Sequence, residues 1–140
     1  RVRVMLSELG DAANAGDVAK CVQLLAAKAD VNLMDMMQKT PLTHAVVGGS
    51  ADTTKLLLER GADTTLKDRV GWTALHWAAF QANEDLVRVL LDFKADPTQT
   101  DSKGSTPRLV VEHILAEQEE HTFGEGLQKQ KDFSGVLNLL

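Results

Sequence analysis

Pairs of leucines recur along the chain at one interval: Leu24–Leu25, Leu57–Leu58 and Leu90–Leu91 stand 33 residues apart. Their surroundings share that offset. Laying residues 55–68 over residues 88–101 brings Leu57, Leu58, Ala62, Asp63 and Asp68 onto Leu90, Leu91, Ala95, Asp96 and Asp101. Upstream, Thr40, Leu42 and Ala45 fall onto Thr73, Leu75 and Ala78. One step back finds QLLAAKADVNLMD at 23–35, and one step forward puts Gly104, Thr106 and Pro107 under Gly71, Thr73 and Ala74. A period of this length marks stacked units, each too small to bury its apolar side except against its neighbours.

Each unit reads as helix, turn, helix, loop. Thr-Pro at 40–41 and 106–107 supplies an N-cap and a proline at the first helical position. Gly16 and Gly49 fall where this first helix should end, with Ala82 in the matching place of the third unit. The leucine pairs lie on the apolar side of a second helix, and the stretch before the next Gly-x-Thr is turn-rich and too short for a third. The segment GWTALHWAAF (71–80) sharpens the pattern. At about 100° per residue, Leu75, Ala78, Ala79 and Ala82 share one stripe, while Trp77 and Phe80 project to the other side. Small alanines are therefore expected in the core and the large aromatics outside it.

The lines GWTALHWAA and LLLERGAD resemble the ankyrin repeat, whose pattern runs G-x-TPLHxAA and LLLxxGAD. The likeness extends from about Leu6 to Leu140, as units near 6–38, 39–71, 72–104 and 105–140 of a single domain covering 1–140. It implies an all-α solenoid of stacked helix-turn-helix units with β-turn fingers and a concave binding face. The family's histidine is present only as His76, with Thr43 and Leu109 in its place elsewhere, and Gln38 replaces a finger glycine. In the last unit the register slips after Glu112, which implies an insertion near 116–131, and Leu139 and Leu140 match the core pair Leu90 and Leu91. Glu117, Glu119 and Glu120 read as a solvated run within that stretch.

Composition narrows the function classes. A net charge of −5 lacks the basic excess of a nucleic-acid footprint, and no apolar run reaches the length of a membrane span. A lone Cys21 fits a reducing, cytoplasmic or nuclear setting. The four histidines His44, His76, His113 and His121 are scattered, with no nucleophile or ligand spacing, so catalysis, a metal and a cofactor are not expected. His76 reads as a structural hydrogen-bonding residue and Cys21 as a small buried hydrophobe.

What remains is a surface. Met36 and Met37 fall at a finger tip, and Trp72, Trp77 and Phe80 gather on one wall beside Val47. The expected contact set comprises these residues with Lys39, Arg69, Val70, Gln81 and Lys103, an aromatic and Met centre with cations around it. The expected function is a non-enzymatic, monomeric module binding a protein or peptide with some acidic residues. Trp77 can equally fill the cleft between helix and finger. A rival reading rests on G-W-T-x-x-x-W, which is similar to the ankyrin domains of certain histone lysine methyltransferases that cage methylated lysine. Trp72 and Trp77 match; Phe80 stands where that group has an acidic residue, and Val110 where it has another Trp. A regulatory piece of a larger enzyme is a third reading.

Overall fold

Thr40 and Thr73 each leave an extended backbone and turn a side-chain oxygen onto the amide three residues on, at Thr43 and His76. This satisfies one of the orphan N–H groups of a helix start. The helices so opened are α3 (Pro41–Val47) and α5 (Ala74–Phe80). Thr106 accepts from the Leu109 amide in the same way at the start of α7 (Pro107–Glu120). A second set of caps, Asp17, Ser50 and Asn83, opens α2 (Val18–Ala26), α4 (Ala51–Glu59) and α6 (Glu84–Asp92). With α1 (Val2–Ala15) and α8 (Ser134–Leu139), the computed structural model describes eight helices within residues 2–120 and 131–140.

Each first helix packs on the next, α1 on α3, α3 on α5 and α5 on α7, while α2, α4, α6 and α8 stack behind them. The core lies between the two layers. Leu9, Leu42 and Leu75 fill it from the front with Ala12, Ala13, Ala45, Ala78 and Ala79; Cys21, Leu57, Leu86 and Leu90 fill it from behind. Alanines let neighbouring front helices approach closely. At Gly48 the approach is closer still, since a Cβ there would run into the Asn14 carbonyl oxygen.

The last unit departs from the period in two ways. Helix α7 continues to Glu120, twice the length of α3 or α5, so the front part of the stretch expected as an insertion is helical. The remainder of that stretch, 121–130, lies outside the described residues. At the end of the chain, Phe133 and Val136 are the fully buried residues, and Leu139 and Leu140 only pack at the edge of the core. Val136 thus takes the central place expected for Leu139 and Leu140, because α8 spans one and a half turns and its middle residue faces α6.

Left-handed backbone repeats with the same period. The front helices end at Gly16, Gly49 and Ala82, with φ of 70°, 79° and 56°. The turns before the next helix hold Gln38, Gly71 and Gly104 at 58°, 81° and 80°. A residue with a Cβ costs about 1–2 kcal/mol in this region, whereas glycine enters it freely. Ala82→Gly is therefore expected to raise stability by about 1 kcal/mol in urea unfolding, and Gly48→Ala to lower it well beyond that. An Ala82→Gly variant no more stable than the parent would show that its left-handed turn is unstrained.

Candidate partner-binding site

Three loops carry the chain from a rear helix to the next front helix, and each closes on an aspartate: Asp35, Asp68 and Asp101. The aspartate amide donates to the carbonyl four residues on (Lys39, Trp72 and Ser105; 3.0, 2.9 and 2.9 Å). Its Oδ1 in turn accepts from that residue's amide and from the amide two residues on, at 2.8–3.1 Å across the three turns. One carboxylate oxygen thus closes the whole turn. The other points out of the turn.

What Oδ2 finds there differs from turn to turn. Asp35 Oδ2 lies 2.7 Å from His44 Nε2 on α3, and Asp68 Oδ2 accepts the Trp77 indole N–H of α5 at 2.8 Å. The matching residue on α7 is Val110, which has nothing to donate. Asp101 Oδ2 instead accepts the indole N–H of Trp72, from the preceding turn, at 3.0 Å. For Asp35, burial alone would raise the carboxyl pKa, but the amides of Lys39 and Met37 and the His44 ring outweigh it and hold the group below its ordinary value. In Asp101 burial is likewise overcome, by the Ser105 and Lys103 amides, the Trp72 indole and the nearby His76.

These carboxylates set the aromatic geometry. Trp72 and Trp77 meet edge to face with centroids 4.7 Å apart, and Phe80 completes the group at 5.3 Å from Trp72 and 6.0 Å from Trp77. Such contacts add about 0.5–1.5 kcal/mol each beyond burial. Lys39 Nζ sits 4.8 Å from the Trp77 centroid, and Lys131 Nζ 5.4 Å from that of Phe80. The two tryptophans are half-buried and Phe80 is 37% exposed, whereas Leu75, Ala78 and Ala79 on the same helix are fully buried. Front-helix alanines face the core, Trp77 packs against its edge, and Phe80 stands outside it.

The remaining sequence-nominated residues are placed unequally. Met36 is 89% exposed, and Met37 and Val70 are about half exposed. Arg69 and Lys103 are exposed on the second and third turns. Val47 is half-buried, and its carbonyl accepts from the Gln81 amide group at 2.8 Å, so Gln81 ties α5 to α3. Sequence reasoning missed the aspartates that aim the rings, although their 33-residue spacing was visible. It also missed Lys131, which comes to Phe80 from beyond α7.

His76 is wholly buried. Its Nδ1 accepts from the Thr73 amide at 3.2 Å, so Nε2 carries the proton and donates to the Ser105 carbonyl at 2.9 Å. This joins α5 to the next turn. Burial, ahead of every other influence, pushes the imidazole pKa down. Cys21 is also buried, and burial first, then the charge of Asp17, raises its thiol pKa, which suits packing and not nucleophilic attack. Among the described residues no three His, Cys, Asp or Glu converge as metal ligands, and no helix is long and apolar enough to cross a membrane.

The direction of these shifts fixes a pH dependence. A buried imidazole with a depressed pKa stabilises fully above its unfolded value, about pH 6.5, and that contribution is lost as the pH falls towards its folded value. Asp35 and Asp101, depressed carboxylates, keep theirs above about pH 4 and lose it below. Thermal midpoints are thus expected to fall between about pH 7 and pH 5, and His76→Gln to flatten that fall while lowering the midpoint at neutral pH. A midpoint flat across this range in the parent chain would contradict a buried neutral ring.

Comparison with curated proteins gives no match. A family model described as ankyrin repeats (3 copies) matches residues 9–101, the span that holds the first two aspartate-closed turns and the aromatic group and ends at Asp101. Ankyrin repeats generally bind other proteins. With two-thirds of its length under that model and its helices paired in two stacked layers, the chain belongs to the ankyrin repeat family.

Proposed function

We propose that the chain is a non-enzymatic, monomeric protein-binding module, one domain with repeat units near 6–38, 39–71, 72–104 and 105–140, working in the cytoplasm or nucleus. Its partner lies along the concave face made by the turns and front helices, against Met36, Met37 and Val70 and the ring group of Trp72, Trp77 and Phe80. The observation that carries this reading is the position of the aromatics. Three large rings cluster at the edge of the core, with Trp77 packed against it and Phe80 exposed, while alanines fill the core positions of their helix. Aromatic clusters of this kind are where binding energy concentrates in interfaces. Arg69 and Lys103 are exposed on the second and third turns of a chain of net charge −5, which favours acidic residues in the partner.

Methylated lysine is the competing ligand. Trp72 and Trp77 do come together, but in edge contact, with Phe80 as a third ring and Lys39 already over Trp77. That arrangement supports a packed apolar wall more than an open cage for a methylammonium group.

The test separates binding from folding. Peptides selected from a displayed random library are titrated against the parent chain and against Phe80→Ala, Trp72→Ala and Leu75→Ala. Phe80→Ala is expected to cost under about 1 kcal/mol of stability yet weaken binding about tenfold or more. Leu75→Ala should cost about 2–5 kcal/mol of stability, as a fully buried leucine does. Trp72→Ala should fall between, because it also removes the indole that holds Asp101. Parent-like binding by Phe80→Ala would sink the proposal. Histone-tail peptides bound only when their lysine is methylated would assign the wall to the competing ligand.

A further inference from the structure

The first turn differs from the other two in what it exposes. Where they carry Arg69–Val70 and Ser102–Lys103, it carries Met36–Met37, and Met36 is the most exposed large apolar side chain among the described residues. Beneath these methionines the surface is hollow. A cleft of about 750 Å³ opens between α1 and the turn, with Leu33, Met34, Met36, Met37 and Pro41 among its lining residues. Its size falls in the range of clefts that bind small molecules or side chains. Gly10, on the α1 side, is buried, and the His44 ring packs directly on it, since a Cβ there would lie 3.1 Å from the ring.

We propose that this cleft is a second anchoring subsite, which receives an aliphatic side chain of an acidic peptide segment while the aromatic group holds another part of the same segment. The proposal rests on the binding role assigned above and names the chemistry of the partner. Methionine is unbranched and polarisable, so an exposed Met pair adapts to an aliphatic group better than a rigid wall does. Charge sets which side of the cleft the acidic residues take. Lys39 belongs to both subsites: it lines the cleft, and its Nζ lies over Trp77. Arg69 and Lys103 continue the positive charge along the next two turns. Asp35, which also lines the cleft, is turned onto its own donors, His44 and the Met37 and Lys39 amides, which leaves Lys39 as the charge facing an incoming carboxylate. The carboxylates therefore lie on the Lys39 side of the aliphatic residue.

The probe is again a displayed random-peptide library, selected on the parent chain. Selected peptides are expected to share an aliphatic residue with Asp or Glu beside it. Met36→Ser combined with Met37→Ser should weaken the best peptide about tenfold and leave the thermal midpoint unchanged, because both side chains are exposed. Replacing the peptide's aliphatic residue by Ala should weaken binding similarly, with little further loss when both changes are combined, the signature of a direct contact. A peptide whose affinity falls with Phe80→Ala but not with the methionine changes would overturn the subsite and leave the binding face standing. A selection that yields no binder would overturn both. Lys or Arg in place of the acidic residue would overturn the charge assignment, and self-association without peptide, lost on the methionine changes, would make a second copy the occupant.

Discussion

A carboxylate with one oxygen turned inward to its own loop and the other outward to a neighbouring ring is the joint on which this molecule depends. Asp35, Asp68 and Asp101 each close a turn through Oδ1, which accepts two amides, while the aspartate's own amide donates to the carbonyl four residues on. Oδ2 is then aimed from a fixed base. Whatever ring donates to it is held at a set angle to the front helix, so the surface of the module is oriented by the same group that shapes its loops. Charge-assisted hydrogen bonds are stronger than neutral ones, and here they replace apolar packing that a loop of this length cannot supply.

The joint has a variable end, and this explains the aromatic cluster. Each unit offers its carboxylate to a residue nine positions on: His44, Trp77 and Val110. Valine's failure to donate frees Asp101 for Trp72, whose indole swings across to the next turn. Trp72 then lies against both His76 and Trp77. One apolar residue in the last unit thus sets the position of a ring in the third. The wall is a product of neighbouring units, which is why Trp72 carries a share of stability that Phe80, bound to no carboxylate, does not.

The period, the helix pairs and the segregation of alanines from aromatics were legible because each depends on residues that recur or on helical geometry alone. The rear-helix caps were harder to see. Asp17, Ser50 and Asn83 do one job with three residue types, so identity at a fixed offset hides them. The length of α7 escaped for another reason: register is lost after Glu112, and only the continuing helix shows that the chain departs from the repeat without leaving the helical state. The cleft beside Met36 was hidden because it depends on how the first turn sits against α1, and one sequence read by its period shows mainly what recurs.

Where the period fails is where the units cease to be interchangeable. Stacking requires alanines, leucines, caps and left-handed turns to recur, since each unit must fit the same neighbour. Nothing in that requirement specifies the outer residues of the front helix or the turn tip. Met36, Met37 and Phe80 sit exposed at such unconstrained places, with Lys39 reaching both the cleft and the ring group. Repetition builds the scaffold, and its exceptions are concentrated on the face where a partner would be chosen.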